Sequence, residues 1–467
     1  MQIYDTMRRR KTDFVPMDPN EVKIYVCGPT VYDYFHIGNA RPFVVFDTLR
    51  RYLEYRGMNV KFVQNFTDVD DKIINRAKKE GISALEVGEK YIGEYYKDAA
   101  ALNVKKASVH PRVTENMNEI IAFVQDLIDK GYAYEANGDV YYRTRKFLPY
   151  GNLSGQNIDD LEAGARIEVG DIKEDPLDFA LWKARKEPDE IAWKSPWGFG
   201  RPGWHIECSV MSTKYLGETI DIHAGGEDLM FPHHENEIAQ TEAKTGKKFS
   251  NYWMHNAYIL INNEKMSKSL GNFFTVRDIR KEYDGETIRF FLLSGQYRSP
   301  INFSRELMDA AKSGLERMRT ARENFRFLAE NGADGPMTAE EEEAAKKLDA
   351  AKEKFIAVMD DDLNTADAEA AIFELIRDAN TQMKNGATKA FAKKALDLLL
   401  ELSDVLGLLE DGADEGAIDP ELQALIDERQ AARKAKNWAR ADEIRDLLKA
   451  RGITLKDTPQ GVQIVRD

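Results

Sequence analysis

Cysteine is scarce in this chain, with only Cys27 and Cys208 among its 467 residues. Two cysteines exclude a small scaffold held together by disulfides and are typical of a protein from a reducing cytosol. No apolar run approaches the about 18 residues that a membrane-spanning helix needs. The basic run from Arg8 to Lys11 is not followed by the apolar stretch of a secretory signal. We therefore expect a cytoplasmic protein with no membrane partner.

An excess of positive charge is also lacking, since 66 Lys and Arg residues stand against 80 Asp and Glu residues, a net charge of −14. This balance argues against a protein that coats nucleic acid through its overall field, although it leaves room for a local basic surface. Hydrophobic residues make up 43% of the chain and charged residues 31%, which excludes wholesale disorder. The length predicts roughly three domains of about 150 residues each.

A βαβ pattern is present near the N-terminal end. Residues 22–27 alternate as in a strand that Gly28 interrupts, a helix is predicted from near Pro42 to Gly57, and residues 60–63 form the next strand. A strand, a helix and a second strand in so short a stretch predict a parallel sheet. We therefore expect an α/β fold with a Rossmann-type parallel-sheet core.

Changes of pattern divide the rest of the chain. After Ser304 an apolar helix face is predicted at Leu307, Ala311, Leu315, Met318, Phe325 and Leu328. Thr338 with Glu341 three residues later predicts a capping box at a helix start. We expect a first half of the core at 1–113, an inserted connective segment at 114–199, a second half of the core at 200–248, a loop region at 249–319, an α-helical bundle at 320–409, an acidic linker at 410–421 and a small C-terminal domain at 422–467.

The first candidate motif is His36-Ile37-Gly38-Asn39, which follows the first predicted strand and precedes the first helix. Amides at a helix N-terminus favour anions, and Gly38 lets a nucleotide approach the backbone closely. A ring nitrogen of His36 can donate to phosphate oxygens. Alone, however, this pattern is more typical of an ordinary loop histidine before a helix.

The second candidate motif is Lys265-Met266-Ser267-Lys268-Ser269. Lys265 and Lys268 can place two ammonium groups on a polyphosphate, stabilising charge while the α-phosphate is attacked and pyrophosphate departs. The alternative is an exposed basic loop. In this order, about 230 residues apart, the two motifs resemble the signatures of class I aminoacyl-tRNA synthetases. That family's first signature usually ends in a second histidine; Asn39 cannot carry positive charge, so we interpret it as an ATP contact.

The two cysteines are candidate metal ligands. Cys27 closes the first predicted strand, Cys208 lies further along the chain, and a predicted helix start places His233 and Glu237 on one face. Two thiolates, one imidazole and one carboxylate make a tetrahedral zinc site.

Spacing alone leaves that interpretation open. His234 and Glu235 fit the same periodicity, and no compact zinc-finger spacing supports the site. Two cysteines in a cytosolic chain are more often small buried hydrophobes.

Four segments resemble the cysteinyl-tRNA synthetases, and the similarity extends over essentially the whole chain: residues 25–30, 65–72, 201–208 and 223–237. The resemblance implies that one Zn²⁺ is held by Cys27, Cys208, His233 and Glu237 and that the substrate thiolate completes its coordination. It also implies an amino-acid pocket lined by Gly28, Thr67, Trp204 and His223. For Trp204, packing in the protein core is an equal alternative. Zinc binds a thiolate far better than a hydroxyl, so it can separate cysteine from serine where a pocket of matching shape gains only about 10- to 200-fold.

A basic segment in the C-terminal domain is the candidate RNA-binding surface. The three- and four-residue spacing predicts one helical stripe with an aromatic side chain nearby, made of Arg429, Arg433, Lys436, Trp438 and Arg440. Cationic side chains and an exposed aromatic suit phosphate contacts and base stacking. The usual alternative for such a run is the solvated face of an ordinary helix.

The resemblance implies a monomeric aminoacyl-tRNA ligase that converts L-cysteine and ATP, with Mg²⁺, to cysteinyl-adenylate and passes the cysteinyl group to the 3′-terminal adenosine of tRNA(Cys). His36, Lys265 and Lys268 would stabilise phosphate charge, residues 249–319 would carry the phosphate loop and contact the tRNA stem, and residues 422–467 would bind the anticodon. One alternative is a related ligase that joins cysteine to an amino sugar and lacks the C-terminal domain. Another is a non-catalytic RNA-binding paralogue, against which both phosphate-loop lysines argue.

Overall fold

The computed structural model describes residues 1–157, 172–188, 190–262, 264–265, 273–410, 420–450, 453–458 and 461–466. Most of the predicted acidic linker and the loop that carries Lys268 lie outside these residues. The chain divides into two compact units. The first consists of Met1–Met308 and Met359–Thr365, and the second of Asp309–Val358 and Ala366–Asp467.

Strands and helices alternate along most of the first unit. Its described strands are β1 (Gln2–Asp5), β2 (Arg10–Asp13), β3 (Glu21–Val26), β4 (Asn59–Gln64), β5 (Ala133–Ala136), β6 (Asp139–Tyr142), β7 (Phe179–Ala184), β8 (Trp193–Ser195), β9 (Gly198–Pro202), β10 (Ile220–Gly226), β11 (Ser250–Asn256), β12 (Ile259–Ile261), β13 (Glu264–Lys265) and β14 (Ile301–Phe303). Its described α-helices are α1 (Ile37–Tyr55), α2 (Asp71–Glu80), α3 (Ala84–Ala101), α4 (Met117–Asp129), α5 (Trp204–Leu216), α6 (Glu235–Thr245), α7 (Val276–Ile279) and α8 (Gly285–Leu293).

A four-stranded parallel sheet in the order β11-β10-β3-β4 forms the centre of this unit. The first six residues of β10 are buried, as expected for a parallel strand covered on both faces. The predicted Rossmann-type core and its βαβ start are confirmed. The sheet extends past residue 248, because β11 pairs with β10.

The first helix begins earlier than its sequence suggests. α1 starts at Ile37 and contains Pro42, so the predicted start near Pro42 is wrong. His36 explains the difference because its side chain caps the helix, accepting a hydrogen bond from the Asn39 amide. The predicted end is close to the observed one, since Gly57 follows the C-cap with a positive φ of 82°.

A five-stranded antiparallel sheet separates β4 from β10 in the chain. Its order is β5-β6-β7-β9-β8, and α4 precedes it. β9 ends one residue before α5, with Gly203 as the N-cap of that helix. This antiparallel sheet therefore leads directly into the helix that carries Cys208.

The second unit is mainly helical. Its helices are α9 (Arg305–Asn331), α10 (Ala339–Asp360), α11 (Thr365–Met383), α12 (Lys389–Val405), α13 (Pro420–Lys434) and α14 (Trp438–Ala450), and the first three have end residues in the first unit. A hairpin of β15 (Ile453–Thr458) and β16 (Gly461–Arg466) follows. The predicted helical character is confirmed, although Leu307 is wrong as a core residue: it is 44% exposed, and Met308 is buried instead.

The predicted capping box is present and extends to a second helix. The Glu341 amide donates to the Thr338 hydroxyl, and the Thr338 amide donates to the Glu341 carboxylate. The same carboxylate accepts from the amide and hydroxyl of Thr388, the N-cap of α12, at 2.8 and 2.7 Å. One buried carboxylate thus stabilises the starts of α10 and α12.

The basic segment does not form a single helical stripe. α13 ends at Lys434, Lys436 has a positive φ of 57°, and α14 begins at Trp438. The Asn437 side chain accepts from the Arg440 amide, which is the hydrogen bond of an N-cap. The three- and four-residue spacing therefore runs across a turn between two helices.

In the described part of the chain, no helix is long and apolar enough to cross a membrane.

Candidate functional site

A cavity of about 470 Å³ opens at the carboxyl edge of the parallel sheet. Residues between 27 and 39, residues 256–259, Gly226, Trp204 and Phe273 all contribute to its walls. From β3 the chain proceeds to β4 on one side, and β10 leads to β11 on the other. The cavity therefore lies at the switch point of an open α/β sheet, where such folds bind ligands, and its volume suits a small molecule.

Four side chains meet beside this cavity and form what we call the metal cluster: Cys27, Cys208, His233 and Glu237. All four are buried, and one donor atom of each lies within 4.8 Å of the others. Cys27 directly follows β3 and Cys208 lies in α5. The predicted helix contained both His233 and Glu237, whereas in the structure His233 lies in the π-helical turn just before α6 and Glu237 lies in α6. The structure thus brings together four residues that are scattered in sequence.

The distances within the cluster are those of a ligand tetrahedron. Cys27 Sγ lies 3.7 Å from Cys208 Sγ and 3.3 Å from Glu237 Oε1. His233 Nε2 lies 3.1 Å from the same Oε1. Donors around a tetrahedral zinc ion, with bonds of about 2.0 to 2.3 Å, stand about 3.3 to 3.8 Å apart. The cluster therefore fits such an ion in its chemistry and, to within a few tenths of an ångström, in its size.

A second set of donors overlaps the first, consisting of Cys27, His223, His234 and Glu237. His234 Nε2 lies 3.3 Å from Cys27 Sγ, and His223 Nε2 lies 3.2 Å from Glu237 Oε2. The sequence left His233 and His234 as equal candidates, and the structure places both near the cluster. Only the metal cluster contains two sulfur donors, which favours a soft metal there.

The protein favours the deprotonated form of Cys208 and Glu237 but the protonated form of Cys27 and of His233, whose pKa the Glu237 charge and hydrogen bonds with Cys208 and Glu237 raise to about 10 despite its burial. Burial raises the pKa of the Cys27 thiol well above its usual value. Burial also opposes ionisation of Cys208, but hydrogen bonds with Cys27 and His233 lower its pKa to about 6. The pKa of Glu237 lies well below its usual value, because the charges of His223 and His233 outweigh its burial. One thiolate and one carboxylate are thus favoured by the protein itself, and a metal would have to displace the protons of Cys27 and His233.

The backbone beside Cys27 is held by a close approach that only glycine allows. A Cβ atom on Gly28 would lie 1.7 Å from the carbonyl oxygen of Asn65. The Gly28 amide donates to Asn65 Oδ1 at 2.9 Å, and the Tyr25 hydroxyl donates to the same atom at 3.0 Å. Asn65 Oδ1 also lies 3.8 Å from Cys208 Sγ. Asn65 therefore positions the turn that presents Cys27.

The four residues expected to line an amino-acid pocket divide into two groups. Gly28 and Trp204 line the cavity, whereas the cavity walls do not include Thr67 or His223, which are buried. Trp204 is 41% exposed, so core packing is wrong for this side chain. Its ring lies 4.3 Å from the ring of His233, so an aromatic side chain of the cavity wall packs against a member of the metal cluster.

Thr67 and His223 have buried partners. The Thr67 hydroxyl donates to Glu207 at 2.8 Å, and burial raises the pKa of Glu207 well above its usual value. The His223 ring packs 4.5 Å from the Trp253 ring, and its Nδ1 has no hydrogen-bond partner among the described residues. Thr67 and His223 therefore lie outside the cavity wall and contact buried residues next to it.

The first motif lies at the start of α1 and lines the cavity through His36, Gly38 and Asn39. His36 Nδ1 accepts from the Asn39 amide at 3.2 Å, so the neutral ring carries its proton on Nε2. The His36 ring packs against Phe273 at 4.9 Å. The capping bond thus fixes both the orientation and the tautomer of this histidine.

The second motif is only partly described. Lys265 ends β13, where its backbone pairs with Leu260 of β12, and Lys268 lies outside the described residues. β12 also pairs in parallel with β14. The hairpin of β12 and β13, which precedes Lys268 in the chain, is therefore held in place by β14.

Arg41, two residues after Asn39, ties the start of α1 to the chain that leads into β12. Its buried guanidinium donates to the carbonyls of Ala257 at 2.7 Å and Tyr258 at 2.8 Å. It also donates to the carbonyls of Gln296 and Ser299. One side chain of α1 thereby holds the segment that leads into β12.

Sequence reasoning missed several residues that support the site: Arg41, Asn65, His205, Glu207 and His255. Each acts through a contact between segments that are distant in the chain. Arg41 and Glu207 are charged side chains beside apolar residues of α1 and α5, and Asn65 directly follows β4, which was the available signal. Such a signal indicates a buried polar contact without naming its partner.

The predicted RNA-contacting residues differ in exposure. Trp438 is 58% exposed and Lys436 is exposed, whereas Arg433 and Arg440 are partly buried. Arg440 forms ion pairs with Glu428 and Glu443 at 2.8 Å. Arg429 is only 5% exposed, so it differs from the other four.

Three family models match most of the chain. Residues 13–313 match the family described as tRNA synthetases class I (C) catalytic domain. Residues 354–410 match the DALR domain, and residues 415–466 match the cysteinyl-tRNA ligase anticodon binding domain. The parallel sheet, the cavity at its switch point and the motif at the start of α1 thus belong to a class I aminoacyl-tRNA synthetase.

The particular family follows from a full-length relative. The chain is 59% identical over 463 residues to the cysteine–tRNA ligase of Clostridioides difficile (strain 630), covering 99% of each chain. The chain belongs to the cysteinyl-tRNA synthetase family and is a cysteine–tRNA ligase.

Two solved structures have a similar fold at 13% sequence identity. One is the Mycobacterium tuberculosis methionyl-tRNA synthetase in complex with methionyl-adenylate, with a TM-score of 0.60, covering 83% of this chain and 89% of that one. The other is the ternary complex of Agrobacterium radiobacter K84 agnB2 LeuRS-tRNA-LeuAMS, with a TM-score of 0.61, covering 85% of each chain. These likenesses support the fold assignment alone.

Proposed function

We propose that this enzyme uses zinc to select L-cysteine, activates it with Mg²⁺–ATP to cysteinyl-adenylate, and transfers it to the 3′-terminal adenosine of tRNA(Cys). The observation that carries the proposal is the metal cluster, which adjoins a cavity that the His36 motif also lines. An amino acid recognised through its thiol at the cluster would extend its carboxylate toward an ATP bound at α1. Residues 415–466, which match an anticodon binding domain, disfavour a ligase that uses an amino sugar.

Cys27, Cys208, His233 and Glu237 would hold the zinc ion. Their donor types and separations fit zinc, as the two sulfur atoms 3.7 Å apart indicate. When bound, zinc supplies a soft Lewis acid that prefers the thiolate of cysteine to the hydroxyl of serine. Trp204, whose ring faces His233, would close the apolar side of this end of the cavity.

The remaining residues would act on phosphate charge. His36 would donate from Nε2 to a phosphate oxygen, because its Nδ1 already accepts the Asn39 amide. Gly38 and Asn39 would contact the nucleotide, and Lys265 and Lys268 would stabilise the departing pyrophosphate. This catalysis consists of positioning and electrostatic stabilisation and needs no general base from the chain.

The second unit would hold the RNA. Exposed Trp438 is suited to stacking on a base, and Arg433, Lys436 and Arg440 to phosphate contacts. Arg429 would support this surface from within the domain, because it is buried. The enzyme would act as a cytoplasmic monomer. The loop region at 249–319 would contact the tRNA stem, and the bundle at 320–409 would connect this region to residues 422–467.

The test is cysteine-dependent exchange of pyrophosphate into ATP, followed by cysteinylation of tRNA(Cys) with serine as competitor. We expect exchange with cysteine and a preference over serine well above the roughly 200-fold that a pocket of fixed shape provides. Absence of cysteine-dependent exchange in zinc-loaded protein would refute the activation step. Lys268→Ala should lower adenylate formation far more than cysteine binding, and Lys281→Ala, an exposed lysine outside the cavity, serves as the control.

Trp438→Ala separates the RNA step from activation. We expect weaker binding of tRNA(Cys) and slower cysteinylation with unchanged pyrophosphate exchange. Equal loss of both activities would contradict the assignment of residues 422–467 to RNA binding.

A further inference from the structure

Asn256 is a buried polar residue in the cavity wall for which the proposed function gives no role. It ends β11 and lies directly opposite Gly226, the last residue of β10. Its side chain is 3% exposed, and both residues line the cavity. Asn256 therefore stands at the carboxyl edge of the sheet, on the strand next to the switch point.

The orientation of its amide is fixed by a neighbour. Asn256 Nδ2 donates to the carbonyl oxygen of Ala257 at 3.2 Å. A carbonyl can only accept, so the nitrogen of this amide is identified and the other atom is the oxygen. Among the described residues, Asn256 Oδ1 is buried and has no hydrogen-bond partner. An unsatisfied buried acceptor carries a free-energy cost, which a ligand with a donor at this position would remove.

The position of Asn256 indicates which part of a ligand it meets. Arg41 of α1 donates to the carbonyls of Ala257 and Tyr258, so the backbone that follows Asn256 is held by the helix that His36 caps. Cys27, a member of the metal cluster, instead directly follows β3, which is two strands away from β11. Asn256 thus belongs to the side of the cavity that the nucleotide would occupy.

The charge beside Asn256 disfavours direct contact with a phosphate at this point. A Cβ atom on Gly226 would lie 2.4 Å from Asp228 Oδ1, so the Asp228 carboxylate covers Gly226. Asp228 also lines the cavity. Two neighbouring acceptors, one of them an anion, repel phosphate oxygens and suit an uncharged group with hydrogen-bond donors. Adenosine offers such donors in its 6-amino group and its ribose hydroxyls.

We propose that Asn256 is a specificity-determining residue for ATP, and that its Oδ1 accepts a hydrogen bond from a donor of the adenosine moiety. This inference rests on the proposed function, because it takes ATP as the occupant of the cavity. The 6-amino group and the ribose hydroxyls offer the same chemistry, and nucleotide analogues distinguish them. Purine riboside triphosphate lacks the amino group, and 2′-deoxyATP and 3′-deoxyATP each lack one hydroxyl.

The experiment measures kcat/KM for ATP and the three analogues in cysteine-dependent pyrophosphate exchange, in the parent enzyme and in Asn256→Ala. We expect the variant to lose about 10-fold in kcat/KM for ATP, with a smaller loss for the one analogue that lacks the bonded donor. The KM for cysteine should change by less than about twofold. Within one preparation, the ratios of kcat/KM among the four nucleotides do not depend on the fraction of active protein. A partly unfolded preparation of the variant therefore still gives an answer.

Asn116→Ala is the matched control. Asn116 is also buried, but its amide donates to Arg112 O and accepts from Lys214, so both ends are satisfied. This variant should lose stability and keep the parent's discrimination among the nucleotides. Should Asn256→Ala fail to fold, Asn256→Ser replaces it in the same comparison.

Two results would overturn the inference. One is unchanged discrimination against all three analogues in the Asn256 variant. The other is a rise in KM for cysteine with no change for ATP, which would assign the oxygen to the amino acid. If the parent enzyme shows no exchange, the proposed function fails, and equilibrium dialysis with the same four nucleotides still decides the role of Asn256.

Discussion

Cys27 Sγ lies 3.7 Å from Cys208 Sγ, although 181 residues separate them in the chain. Two thiolates at this distance, without a cation between them, would repel each other in a buried site. Separations of about 3.8 Å are those of two sulfur ligands on one tetrahedral zinc ion. The spacing of this pair therefore supports the proposal that a metal takes part in selecting the amino acid.

The first prediction concerns this pair. Cys208→Ser replaces a soft ligand by a poor one, so we expect the purified variant to hold less than about one tenth of the parent's zinc. Discrimination between cysteine and serine should fall at least 100-fold, toward the limit of a shape-selective pocket. Metal content is measured by elemental analysis and discrimination by pyrophosphate exchange.

Met211→Leu, a buried substitution of similar volume in the same helix, is the control for general damage to α5. It should retain both zinc and discrimination. A Cys208→Ser enzyme with normal zinc and normal cysteine affinity would exclude Cys208 as a ligand.

The second prediction concerns the close approach of Gly28 to Asn65. Gly28→Ala places a methyl group 1.7 Å from a backbone oxygen, so the turn that carries Cys27 must move. We expect a loss of about 1–3 kcal/mol in the free energy of unfolding and a marked rise in KM for cysteine. Urea unfolding and exchange kinetics measure the two effects.

Gly93→Ala is the matched comparison, because Gly93 lies exposed within α3 and an added Cβ meets nothing within 4 Å. This substitution should stabilise the protein by up to about 1 kcal/mol, since alanine is the better helix former. Equal effects of the two substitutions would mean that the Gly28 contact has no energetic importance.

The third prediction concerns Glu341, whose carboxylate caps α10 and contacts the N-cap of α12. Glu341→Ala removes hydrogen bonds at both helix starts, which should cost about 2 kcal/mol. Hydrogen exchange at the first amides of α12 should accelerate together with those of α10. The neighbouring Glu342 is exposed, and Glu342→Ala should have little effect. Faster exchange at only one of the helices would show that the carboxylate does not serve both.

The fourth prediction concerns pH and His110. Burial lowers the pKa of His110 to about 4, while the neutral ring bonds the Gln64 carbonyl through Nδ1 and accepts the Ala107 amide at Nε2. In the unfolded chain the ring takes up a proton near pH 6.5. The unfolded state therefore binds more protons between pH 6.5 and 4, and stability falls as pH falls through this range, by at most about 1.4 kcal/mol per pH unit.

His110→Gln removes the titrating group. We expect the variant to be less stable than the parent at pH 7 but to lose less stability between pH 7 and 5, as measured by urea unfolding. NMR titration of the folded parent should give one step near pH 4 for this ring. A titration step near pH 6.5, or the same pH dependence in both proteins, would contradict the assignment.

Local patterns predicted much of the fold. The alternation at 22–27 indicated β3, and Thr338 with Glu341 indicated the start of α10, because both signals lie within a few residues of the element they define. Patterns failed where a distant or unusual contact decides the outcome. The His36 cap places the start of α1 before Pro42. The turn that precedes the Asn437 cap divides the predicted helical stripe between two helices.

The site shows the same limit. Periodicity could not choose between His233 and His234, because both lie in one turn and only the tertiary structure brings Cys27 and Cys208 to them. Resemblance to a family supplied the ligand set that spacing left open. Asn65 and Arg41 were missed because their partners lie elsewhere in the chain and no local pattern specifies them.

The wide sequence separation within the metal cluster also governs when the site can form during synthesis. Cys27 and Glu237 are 210 residues apart, and the antiparallel sheet of β5–β9 lies between them in the chain. A ribosome must therefore extend the chain past Glu237 before all four ligands exist, and β10 must reach β3 before they meet. Until then Cys27 is an unpaired thiol on a nascent chain. Formation of this site is therefore a late, long-range event. Zinc bound at that stage would stabilise the packing of β10 against β3.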